Sequence, residues 1–233
     1  MQKYCLSMSG RIIAVAALVI AGSAAANAQP QVEIGVETGY TASEGIKASE
    51  TRIINGQAYN DLDITSGGNF GITAGVLFTD NAEVEFLWNR QFSSFSAGNP
   101  APSVQLADVN VDNFFGNFVY NWGVREAKVR PFMLIGIGAT HYAPGAPIAI
   151  AAPVTGQSAI DSATKFAWTL GGGVKVYPAE HFGIKLGARW TPTYIKSDAD
   201  GIWCDPFYPT CWVLGDPDYS NQFQINGGIT LRF

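Results

Sequence analysis

The C-terminal stretch NQFQINGGITLRF (221–233) decides the fold. Phe223, Ile225, Ile229, Leu231 and Phe233 share one parity, and Gln222, Gln224, Asn226, Thr230 and Arg232 share the other. Side chains on a β-strand alternate between faces, so the segment reads as a strand with one apolar and one polar surface. Such a strand belongs either in a soluble sheet, apolar face inward, or in a membrane barrel, apolar face outward.

The same alternation recurs upstream. QVEIGVETGY (31–40) sets Val32, Ile34 and Val36 against Glu33 and Glu37, and NFGITAGVLF (69–78) sets Phe70, Ile72 and Val76 against glycines and Thr73. AEVEFLWNRQF (82–92), VDNFFGNFVYNW (111–122), TKFAWTLGGGVKVY (164–177) and HFGIKLGARWTPTY (181–194) follow suit. KVRPFMLIGIGATHY (128–142) is apolar on both faces; Arg130 is assigned inward with Gly136 and Gly138, and Pro131 falls near the strand start, where no ladder donor is needed. Together with the terminal stretch these make eight strands of about 10 residues, the length that crosses a bilayer when tilted.

Connections alternate in length. Segments 79–81, 123–127 and 178–181 read as tight turns, whereas 41–68, 93–108, 143–163 and 195–219 read as long loops. Short and long in turn is the signature of an up-and-down barrel with two unlike rims, both termini lying on the short-turn side. Aromatics near strand ends, among them Tyr40, Phe78, Trp88, Tyr120, Trp122, Trp168, Tyr177, Trp190 and Tyr194, suit the two membrane interfaces.

Charge selects between the two environments. Glu33, Glu37, Glu83 and Glu85 share one parity on the early strands, and Arg130, Lys165, Lys175, Lys185, Arg189 and Arg232 share the corresponding parity on the later ones. If that parity faces the interior, an acidic sector meets a basic one and every buried charge has a partner within reach. A soluble lipocalin-like ligand-binding barrel is the rival, and it leaves this separation of signs without a cause. The expectation is therefore an all-β, eight-stranded antiparallel up-and-down transmembrane β-barrel.

Lys3 and Arg11, the apolar run IIAVAALVIAG and the small-x-small site Ala26-Asn27-Ala28 mark 1–28 as a signal peptide, leaving 29–233 as the barrel domain. The leader holds two of the 14 basic residues and none of the 19 acidic ones, so the exported part is more acidic than the −5 of the whole chain. That balance argues against a nucleic-acid partner. With Cys5 lost in the leader, Cys204 and Cys211 remain as a close pair in an exported chain and are expected to form a disulfide. It would close a loop displaying Trp203, Phe207, Tyr208 and Trp212, either as a recognition surface or as a stapled tip packed on its own rings. His141 and His181 lie far from this pair in sequence, so no zinc site is expected, and the acidic loop motif DADG is only a fragment of a calcium loop. No metal, cofactor or catalytic residue is assigned; His141, with Ser158 or Ser162, is the one arrangement resembling an activated nucleophile, and it lacks a motif.

GNFVYNW, VRPFMLIGIGA, LGGGVKVYPAEHFGIKLGARW and the terminal ITLRF, with the ANA cleavage site, resemble the small eight-stranded outer-membrane barrels of Gram-negative bacteria, the OmpA-like and OmpW-like porin family proteins. The resemblance implies an outer-membrane location with periplasmic termini, contact with lipid and lipopolysaccharide, and a monomer. It also implies that Phe223, Ile225, Ile229, Leu231 and Phe233 form the signal read by the barrel-assembly machinery. A peptidoglycan-binding domain like that of full OmpA proteins is not expected. The roles implied are envelope integrity, surface contact or narrow passage of small solutes, with lipid A modification as the enzymatic alternative.

Overall fold

The computed structural model describes residues 30–44, 46–54, 57–100, 102–147, 162–194, 203–204, 211–212 and 219–233. The leader 1–28 and its cleavage site lie outside them. Strands β1 (Gln31–Ser43), β4 (Gly67–Leu77), β5 (Ala82–Pro100), β6 (Val104–Asn121), β7 (Val129–Pro147), β8 (Ala163–Ala179), β9 (Phe182–Tyr194) and β12 (Tyr219–Arg232) pair in a closed antiparallel ring. Closure is made by β1 on β12, in a register running from Glu33↔Arg232 to Ser43↔Gln222. The all-β, eight-stranded barrel expected from alternation is the observed architecture.

Polarity across the wall is inverted relative to a soluble barrel. Ile34, Phe86, Phe118, Ile135, Leu186 and Ile225 are exposed on the outer surface, while Glu33, Glu85, Asn117, Arg130, Lys185 and Gln224 are buried inside. Hydrocarbon is the solvent that makes such an exterior favourable, and the described interior is polar where a lipocalin-like core would be apolar. The assignment of Arg130 and Gly136 to the inside holds.

Two of the expected loops are strands. β2 (Ile46–Ile54) and β3 (Gln57–Ile64) form a hairpin within 41–68, and β3 lies along the outer end of β5, pairing Ile64 with Phe95. Likewise β5 and β6 stay paired out to Ala97↔Val104, through most of 93–108. Above a membrane both faces of a sheet are wet, so the period-two contrast that reveals a strand weakens there. The ring consequently has strands of 19, 18 and 19 residues in β5, β6 and β7, against 13, 13 and 14 in β1, β9 and β12. The described strands therefore rise further toward the long-loop rim at β5–β7 than at β1, β9 and β12.

The opposite rim is compact. The β4–β5 turn closes with Phe78 N–H on the Ala82 carbonyl at 3.1 Å, and Asn81 ties it to the next turn through the Asn121 carbonyl at 2.6 Å. Gly123 has φ 91°, a left-handed conformation that a side chain would oppose.

Candidate functional site: the charged lumen

Eight strands enclose only enough room for side chains, so each inward residue meets residues from the far wall. Lys175 on β8 reaches Glu33 at 2.8 Å and Glu83 at 2.6 Å, and Lys185 on β9 reaches Glu85 at 2.5 Å. Arg189 pairs with Glu37, and Arg232 donates through Nε to Glu33 at 2.9 Å. Lys175 and Lys185 are direct cross-strand neighbours, an arrangement of like charges that costs stability unless each finds an anion. The glutamates of β1 and β5 supply those anions across the lumen.

Further partners fill the carboxylates. Asn117 donates to Glu85 at 3.1 Å, Asn121 to Glu83 at 3.0 Å, Asn226 to Glu37 at 3.0 Å and the Tyr177 hydroxyl to Glu33 at 2.9 Å. The Phe132 ring lies among them, 5.8 Å from Lys175 Nζ and 5.3 Å from Lys185 Nζ. Its far edge approaches Gly187, where a Cβ would lie 3.3 Å from Phe132 Cζ, so this glycine makes room for a ring reaching across the lumen. A cavity of about 10 Å³ remains beside Phe132, Lys185, Arg189 and Asn226, no more than the space of one water molecule.

Two members of the expected network stand apart. Arg130 is fully buried, yet its Nη2 donates to the Asp80 backbone carbonyl, and no carboxylate lies within ion-pair distance among the described residues. Lys165 is half-exposed at the outer end of β8, and no ion pair involves it among the described residues. Its position near the rim places it beyond the glutamates, which are all nearer the short turns. Tyr177, assigned above to the membrane interface, faces the lumen instead, under the Arg232 guanidinium at 3.6 Å. Its parity is that of Lys175, which overrides the preference of an aromatic near a strand end for lipid.

Toward the long-loop rim the described inward residues, Lys165 apart, are amides, hydroxyls and apolar groups. Asn89 donates to Asn69 at 3.1 Å, Asn69 to the Thr41 hydroxyl at 2.9 Å, Asn113 to Gln222 at 3.1 Å and Thr140 to Asn113 at 2.7 Å. Beyond these amides Val109, Val111 and Tyr142 are buried with the same inward parity, and Phe95 is buried beside them.

The remaining sequence candidates are dispersed. Phe223, Ile225, Ile229, Leu231 and Phe233 line the outer surface of the terminal strand. The backbones of β10 (Trp203–Cys204) and β11 (Cys211–Trp212) pair with Cys204 opposite Cys211 and Trp203 opposite Trp212. Phe207, Tyr208 and Ser158 lie outside the described residues. His141 Nδ1 shares a 2.8 Å hydrogen bond with the Thr164 hydroxyl. Among the described residues no three His, Cys, Asp or Glu side chains gather as metal ligands. An outward ion pair, Arg90 with Asp112 at 2.8 Å, was not read from the sequence, because Arg90 and Asp112 become neighbours only through the β5–β6 register.

An eight-stranded barrel with a polar, side-chain-filled interior and an apolar exterior is a transmembrane β-barrel. The profile of the outer membrane protein beta-barrel domain matches residues 12–233, and the chain belongs to that family. The family indicates the Gram-negative outer membrane. Among solved structures, the outer membrane protein OprG of Pseudomonas aeruginosa is similar at 13% identity and a TM-score of 0.56, covering 86% of this chain and 95% of that one. Neisserial surface protein A is similar at 12% identity and a TM-score of 0.49, covering 88% and 97%. At these identities the likeness concerns the fold. No curated protein sequence matches the chain.

Proposed function

We propose that the protein is a closed, monomeric outer-membrane barrel that acts through its long-loop surface, with the lumen serving as a structural plug and not as an open pore. The observation that carries this reading is the lumen itself: Lys175, Lys185, Arg189 and Arg232 are each bound across it to a glutamate, and the cavity beside Phe132, Lys185, Arg189 and Asn226 has room for about one water. Solutes would have to displace several buried ion pairs at once, and buried charges deprived of partners are costly.

In this reading the signal peptide 1–28 is cleaved, the compact rim and both termini face the periplasm, and the high wall of β2, β3, β5, β6 and β7 stands outside. The terminal strand carries the apolar face through which the assembly machinery recognises the chain. Cys204 and Cys211 form a disulfide, supported by their opposed backbone positions, since directly paired strand residues have Cα separations suited to that bond. The role is envelope integrity and surface contact; among the described residues no catalytic constellation supports an enzyme. Planar-bilayer recording of the purified protein tests the plug. The expected result is an unchanged baseline, whereas reproducible conductance steps from the wild-type protein would refute it.

A further inference from the structure

The outward face of the barrel changes from apolar to polar along one row. The register aligns Arg90, Asp112, His141 and Thr164 on β5, β6, β7 and β8. Below the row Phe86, Phe114 and Ile137 are exposed, and above it β6 turns outward Asn110 and Asp108. Neighbouring strands lie about 4.8 Å apart, so the row spans roughly 14 Å at the upper edge of the apolar belt.

Its parts are held in place. Asp112 is almost wholly buried and accepts from Arg90 Nε and Nη2 at 2.8 Å each and from Trp88 Nε1 at 3.1 Å. Those three N–H donors satisfy the carboxylate and fix the guanidinium beside the Trp88 ring, with 39% of the Arg90 side chain exposed. Arg90 Nη1 has no protein acceptor among the described residues. His141 is oriented by Thr164 through Nδ1, which leaves Nε2 available. The other side of the same boundary is unlike it: Glu44 accepts from Asn221 at 2.7 Å, and Asn221 accepts from Trp190 at 3.1 Å, placing a carboxylate there.

We propose that the Arg90–His141 row binds the phosphate-bearing headgroup of a lipid whose acyl chains lie on the apolar wall below. This rests on the membrane reading above. A fixed guanidinium edge makes charge-assisted hydrogen bonds to phosphate with little ordering cost. Phe86, Phe114 and Ile137 offer the chains a surface directly beneath, and the described residues beside Glu44 present a carboxylate in place of a cation.

The test uses the full mature protein in phosphatidylcholine nanodiscs doped with monophosphoryl lipid A, with bound lipid counted by native mass spectrometry. Co-migration of protein with the discs checks membrane insertion separately, so failure of the membrane reading is distinguishable from failure of the site. The wild type should retain the phosphorylated lipid, and Arg90→Gln should weaken retention about tenfold, the scale of one lost charge-assisted contact. Arg90→Lys should keep part of it, and Asn221→Ala should leave it unchanged. Equal retention by wild type and Arg90→Gln, or equal loss in Asn221→Ala, overturns the proposal. Displacement of the lipid by millimolar inorganic phosphate would also overturn it, by assigning the row to a free anion.

Discussion

The two halves of the lumen are built from the same inward-facing parity but by different chemistry. Near the short turns, four glutamates and the cations Lys175, Lys185, Arg189 and Arg232 cross the barrel in ion pairs. Near the long-loop rim, amides and hydroxyls such as Asn69, Asn89, Asn113, Thr140 and Gln222 pass hydrogen bonds from strand to strand, under an apolar layer at Val109 and Val111. The difference teaches where each half should be fragile. Losing one member of an ion pair leaves a buried charge stranded, whereas losing one amide leaves only a neutral group unsatisfied.

The largest effect should come from Lys175→Met, which takes the cation from Glu83 and leaves Glu33 with Arg232 alone. Urea titration of the barrel refolded in lipid vesicles should show a loss of about 3–5 kcal/mol. Next, Ile225→Arg places a charge on the lipid face of the terminal strand and should cost about 2–4 kcal/mol near mid-bilayer in the same assay. In the amide half, Asn113→Ala should cost about 1–3 kcal/mol through unsatisfied Gln222 and Thr140 partners. Lys165→Ala, at the rim and outside the network, should shift stability by no more than about 0.5 kcal/mol. If Asn113→Ala proved as damaging as Lys175→Met, the contrast between the halves would be lost.

Much of this was legible in the sequence because a barrel wall imposes a strict period of two. Alternation at 31–40 and 221–233 identified the closing strands, and the parity of Glu33 and Lys175 identified the lumen. Three features were not read from the sequence. The β2–β3 hairpin reads as loop because polar residues dominate 41–68, although Asn55-Gly56 and the alternation Asp61-Leu62-Asp63-Ile64 are hairpin signals. Tyr177 sits near a strand end like an interfacial aromatic, yet it shares the parity of Lys175 and stacks under Arg232 in the lumen. The Arg90–Asp112 pair exists only through the β5–β6 register, and parity alone cannot give the offset between strands.

The most direct test of the account is the coupling energy between Lys185 and Glu85, measured by a double-mutant cycle of Lys185→Met and Glu85→Leu in lipid vesicles. The charged lumen predicts that each single variant is strongly destabilised, that the double variant recovers most of the loss, and that the coupling is about 2 kcal/mol or more. Additive single effects, with no recovery in the double variant, would contradict a lumen held together by ion pairs across the barrel.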